Sequence, residues 1–124
     1  MKLEFLFVPT SDLKASLGLY RDSLGFTERW REGDTTVALG LPGTDTQLML
    51  DAHDPAAPVA PVFVVDSLDA FHAARPETLT VVEAPAEIPG GFKAAYQDPG
   101  GATIIVMDQS ADQSAGQSAG QGTP

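Results

Sequence analysis

Residues 8–26, VPTSDLKASLGLYRDSLGF, decide the fold. They read as the end of a strand, a tight turn and one amphipathic helix over 12–24. Ser11 or Asp12 can cap that helix, a side-chain oxygen accepting a free N–H of the first turn. Leu13, Leu17, Tyr20 and Leu24 follow at spacings of four, three and four, which places them on one helical face. Gly25 supplies the left-handed residue that ends a helix, and Phe26 opens the next apolar run. A strand therefore feeds a helix whose apolar stripe must lie on a sheet.

Working outward, residues 3–8 form the strand that feeds the helix. Residues 26–32, FTERWRE, alternate in their middle, with Trp30 and Glu28 predicted on one face and Arg29 and Arg31 on the other. Gly33-Asp34 is a turn pair, and β-branched residues follow over 35–41. Pro42-Gly43-Thr44-Asp45 turns the chain into a strand over 46–51. The first half thus reads β-α-β-β-β. Residues 54–61, DPAAPVAP, carry three prolines and read as a linker. Beyond it come a strand (62–65), a helix (67–74) capped by Asp66 or Ser67, and a strand (78–83). A Pro/Gly-rich loop (84–91), a strand (92–97), the turn Asp98-Pro99-Gly100-Gly101 and a last strand (102–107) complete a second β-α-β-β-β. Val8 and Val65 end the first strands, and Asp51 and Asp108 end the last. Both pairs lie about 57 residues apart, as do TQLMLD and TIIVMD, so the halves behave as an internal duplication.

Ser-Asp-Leu, Leu-Tyr and Leu-Gly-Phe in the opening stretch, with QDPGGATIIV at residues 97–106, resemble the two modules of the vicinal oxygen chelate superfamily. That group includes glyoxalase I, extradiol dioxygenases, fosfomycin-resistance enzymes and bleomycin-resistance proteins. The fold class expected is α+β: two β-α-β-β-β modules forming a cupped mixed sheet. A single domain over 1–108 is expected, with modules at about 2–53 and 62–108 and the linker 54–61 between them. Residues 109–124 repeat Gln-Ser-Ala without an apolar period and are expected to form a disordered tail.

The chain has 124 residues, no cysteine and no apolar run near 18 residues, so disulfides, thiolate chemistry and a membrane span are not expected. Seven Lys+Arg against 17 Asp+Glu give a formal charge of −10. That field repels phosphate backbones and anionic lipid surfaces, so neither nucleic acid nor membrane is an expected partner. A cytoplasmic location suits the lack of cysteines and of a secretory signal.

Chemistry has few candidates. His53 stands beside Asp51 and Asp54 at a strand end, too close along the chain to converge on a metal, and reads as a solvated loop. His72 lies on the second helix beside Arg75 and reads as surface or packing. No Ser-His-Asp arrangement and no phosphate-cradling loop can be argued.

The resemblance implies metal ligands on the first and last strands of each module. Carried over, those positions fall at or next to Phe5, at Met49, among Ala60, Pro61 and Val62, and at Ile105. None is an ionisable ligand, so no metal, other cofactor or catalytic residue is expected. What remains is an apolar and aromatic lining of Phe5, Phe7, Trp30, Met49, Tyr96 and Ile105, suited to a small flat or amphipathic molecule. The function expected is metal-free small-molecule binding, similar to the bleomycin-resistance branch, in a homodimer as in those relatives. The alternative is a metal-dependent lyase or dioxygenase with a displaced site drawn from Glu4, Gln47, Asp51 and His53.

Overall fold

The computed structural model describes residues 1–110, so the tail expected over 109–124 lies outside the described residues beyond Ser110. The chain divides into two compact units, Leu3–Pro61 and the residues from Val62 on, with Met1–Lys2 grouped with the latter. Each carries a four-stranded mixed sheet with one short helix against it, so the fold is α+β as expected.

In the first unit the strand order is β2-β3-β4-β1 (β1 Lys2–Pro9, β2 Thr27–Glu32, β3 Thr36–Gly40, β4 Gln47–Asp51). β1 and β4 run parallel, with Phe5 opposite Gln47 and Phe7 opposite Met49. β3 pairs antiparallel with β4 and with β2. The helix α1 (Leu13–Leu17) is capped by Asp12, whose Oδ1 accepts the Ala15 N–H at 3.0 Å. Leu17, Val37, Leu39, Leu48 and Leu50 are buried together on the helix side, with Val8, Leu13 and Tyr20 packed around them.

The helix departs from expectation after one turn. Gly18–Ser23 winds as a π-helix, and the Leu24 N–H donates to the Leu19 carbonyl at 2.9 Å. The wider turn shifts the phase of the stripe. Leu13, Leu17 and Tyr20 stay inward, but Leu24 is 56% exposed. Phe26 takes the vacated role, its ring stacked on Tyr20 at 6.1 Å. Gly25, at φ +81, ends the helix in the left-handed region as expected.

In the second unit the order is β5-β8-β7-β6 (β5 Ala60–Val64, β6 Thr80–Ile88, β7 Gly91–Gln97, β8 Thr103–Asp108), with α2 at Leu68–Ala74. Leu68, Ala94, Tyr96 and Val106 form its buried helix-side cluster. The expected linker loses its last two residues to β5, because Ala60 and Pro61 open that strand. The expected loop over 84–91 is mostly strand. Pro85 is accommodated because β6 is the outer strand of this unit and slips register between Val81 and Glu83 and again between Glu83 and Ala86.

The duplication is real in order and hand of pairing, but its register changes in the last strand. The antiparallel pairing closes from Gly40 to Gln47 in the first unit and from Gln97 to Thr103 in the second, one residue sooner. A one-residue change in a connection turns every following side chain to the other face. Asp51 therefore sits opposite Thr36 on the helix-free side, whereas Asp108 lies buried opposite Phe92 on the helix side. The equivalence of these two aspartates expected from the sequence does not hold.

Candidate functional site

The helix-free face of the first unit gathers most of the expected lining. Phe5 and Phe7 alternate onto it from β1, and Met49 stands beside Phe7 on β4. Ala38 faces the same way between Met49 and Trp30, because the register pairs it with both.

Trp30 reaches this face through a bulge. The β2–β3 ladder passes from Glu28↔Leu39 directly to Trp30↔Ala38, leaving Arg29 as an extra residue. Regular alternation would have put Trp30 and Glu28 on one face, as expected from the sequence; the bulge separates them. Glu28 goes to the helix side, where it accepts hydrogen bonds from Arg31 and from Arg21 at 3.0 Å each. Trp30 goes to the other side, edge-on to Phe5 at 5.9 Å and 86°. Phe5 is buried at 6% exposure, while Trp30 keeps 36%. An anchored ring with an open flank is what an aromatic contact surface requires.

The bulge also brings Arg29 to this face. A Cβ built on Gly40 would overlap Arg29 Nε and stand 3.1 Å from its Cζ, so the guanidinium lies where a side chain at 40 would be. Across the ladder from Gly40 is Gln47, which turns its Oε1 inward without a hydrogen-bond partner. Arg29 was not among the residues singled out by sequence. The available signal was Gly40 itself, a glycine ending a strand, which often marks a close approach.

Ile105 and Val62, neighbours across β5 and β8, lie on the helix-free face of the second unit, away from that unit's helix-side cluster. Tyr96 does not join them. It is fully buried on the helix side against Phe71, and its hydroxyl meets His72 Nδ1 at 2.8 Å. Its neighbour Ala95 takes the helix-free position beside Ile105, so alternation excludes Tyr96 from that lining. Burial pushes the Tyr96 phenol above its ordinary range, against a smaller opposing effect of Arg75.

The residues do not fit a metal centre. The positions carried over from the resemblance fall at or next to Phe5, at Met49, among Ala60, Pro61 and Val62, and at Ile105, and the residues named are hydrocarbon or thioether side chains without a charged donor. Among the described residues, no group of three or more His, Cys, Asp or Glu could hold a metal ion. The displaced alternative fares no better. Asp51 Oδ1 accepts the His53 N–H at 2.8 Å and the Thr36 hydroxyl at 3.3 Å, and His53 is exposed. Glu4 alternates to the face opposite Phe5.

A groove of about 570 Å³ opens on the helix side, lined by Leu13, Lys14, Arg21, Asp22, Arg31 and Asp34 among others. Its arginines are already engaged. The hydrogen bonds that Arg21 donates to Asp22 and Glu28 raise its pKa, and those that Arg31 donates to Glu28 raise that of Arg31.

A duplicated β-α-β-β-β unit with an apolar helix-free face defines the class: a paired-module α+β protein of the glyoxalase kind. The chain belongs to the Glyoxalase/Bleomycin resistance protein/Dioxygenase superfamily, whose model matches residues 2–106. No curated protein matches it significantly. Among solved structures it is similar to a Streptomyces coelicolor methylmalonyl-CoA epimerase variant in complex with 2-nitronate-propionyl-CoA, at 17% identity and TM-score 0.71 over 90% of this chain and 99% of that one. It is also similar to methylmalonyl-CoA epimerase from Mycobacterium tuberculosis, at 19% identity and TM-score 0.69, covering 91% of each chain. A superfamily member from Vibrio splendidus matches at 16% identity and TM-score 0.57, over 84% of this chain and 95% of that one. At these identities the likeness is one of fold.

Proposed function

We propose that this protein binds a small aromatic molecule without a metal, through Phe5, Phe7, Trp30 and Met49 on the helix-free face of its first unit. Ile105 is the corresponding apolar position of the second unit. The observation that carries the reading is the bulge at Arg29, which turns Trp30 away from the charged helix side and sets it against Phe5. Apolar side chains without a charged donor at the family's ligand positions support binding rather than Lewis-acid chemistry. Sequestration of a drug or metabolite is the role such binding would serve.

The test uses 2-naphthamide, a neutral aromatic probe. It should quench Trp30 fluorescence, and chelator should change neither that quenching nor the melting temperature. Trp30→Ala should weaken binding, read by calorimetry, by about 2 kcal/mol if the ring is a buried anchor. One tightly bound Zn, Ni, Mn or Fe per chain, with a melting temperature lowered by chelator, would overturn the reading in favour of a metal-dependent lyase or dioxygenase.

A further inference from the structure

We infer that the ligand is an aromatic acid, its carboxylate held between the Arg29 guanidinium and the Gln47 amide. The inference rests on the proposed aromatic site and adds the charge of what enters it.

Two hydrogen-bond donors stand together on the face that carries Trp30 and Phe5. Arg29 lies over Gly40, and Gln47 is the residue directly across the ladder from Gly40. Side chains opposite each other in an antiparallel pair have Cβ atoms about 5 Å apart, so the guanidinium, lying where a Gly40 side chain would be, is within reach of a group that the Gln47 side chain can also reach. Arg21 and Arg31 are tied to Glu28, and Arg75 donates to the His72 carbonyl at 2.7 Å. Arg29 has no ion pair or hydrogen bond among the described residues. Gln47 carries a buried Oε1 without a partner, so its amide is not tied into the surrounding hydrogen bonds through that oxygen. The guanidinium offers only donors and the amide adds an N–H₂, and a planar carboxylate is the group that a guanidinium fork and an amide N–H₂ satisfy together. The formal charge of −10 opposes any anion at long range, so selectivity has to come from these local donors. Trp30 and Phe5 fix the rest of the ligand as a flat ring system.

Calorimetry at low salt with 2-naphthoate and its neutral isostere 2-naphthamide tests this. The acid should bind at least about tenfold tighter than the amide, the scale of one charge-assisted hydrogen bond. Arg29→Gln should abolish that preference and leave 2-naphthamide binding within about twofold. Gly40→Ala, which displaces the guanidinium without touching its chemistry, should do the same, and Gln47→Leu should reduce the preference. Equal affinity of the wild type for both probes would overturn the aromatic-acid inference while the aromatic-binding reading stands. So would an Arg29→Gln variant of unchanged melting temperature that retains the preference or loses both probes equally. Failure of both probes to bind the wild type would overturn the two readings together.

Discussion

Asp108 shows how much one side chain can carry. It is 3% exposed, and its Oδ2 accepts the Leu68 N–H at the start of α2 at 2.7 Å. Its Oδ1 accepts the Phe92 N–H at 3.1 Å and the Ser110 hydroxyl at 3.0 Å. Burial pushes its pKa up, but the hydrogen bonds from Leu68, Ser110 and Phe92 together outweigh that and hold it below the ordinary 3.8. A carboxyl depressed in the folded state stabilises fully above its unfolded pKa and loses that contribution as pH falls through the folded value. Melting from pH 6 down to 2 should therefore show a loss beginning near pH 4 that Asp108→Asn lacks; an unchanged profile in the variant would refute this role. At neutral pH the same substitution should cost about 2 kcal/mol, read by urea denaturation. Gly91 belongs to the same corner, because a Cβ there would overlap the Asp108 carbonyl oxygen. Gly91→Ala should cost about 1–3 kcal/mol by overpacking. None of this was legible in the sequence, where Asp108 looked like the twin of Asp51. A buried carboxylate is identified by the N–H groups around it, and two of these, from Leu68 and Phe92, come from residues far along the chain.

At the scale of the element, the sequence conveyed periodicity well and its interruptions poorly. Both helices, the feeding strands and Gly25 were readable because capping residues and apolar spacing are local signals. The π-turn and the β2 bulge were not, since each inserts a phase shift that the composition of a short segment does not announce. The candidate face suffered most from this. Phe5 and Met49 were implied by the resemblance, and Phe7 was named with them as lining, but Trp30 arrives there only through the bulge, and Arg29 with it. Tyr96 was misplaced because strand membership was read without knowing which face the helix covers. The helix gives a direct check. Leu17→Ala removes a buried side chain from the first core and should cost about 2–5 kcal/mol. Leu24→Gln, at the position that the π-turn swings outward, should stay within about 0.5 kcal/mol. Comparable losses in chemical denaturation would mean that the regular stripe, not the shifted one, describes the protein in solution.

For the whole molecule, the duplication and the superfamily membership agree, and the match spans both modules. We propose that two chains associate as a two-fold homodimer, as expected from the resemblance to bleomycin-resistance proteins. Such a dimer should bury at least roughly 1,000 Å². Light scattering at micromolar concentration should return twice the chain mass of 13.0 kDa; a monomer would end the proposal.

The shorter turn before β8 has a practical consequence for anyone reshaping this scaffold. Superimposing the halves by their look-alike strands, TQLMLD on TIIVMD, equates Met49 with Val106, a residue buried beneath α2. An engineer grafting carboxylates or histidines by that equation would drive one of each pair into a dry core and unfold the protein. Counting from the ladder instead equates Met49 with Ile105, and only substitutions chosen that way fall on the helix-free face of their own unit. Loop length, rather than strand composition, thus governs which residues of an ancestral copy stayed available for new chemistry.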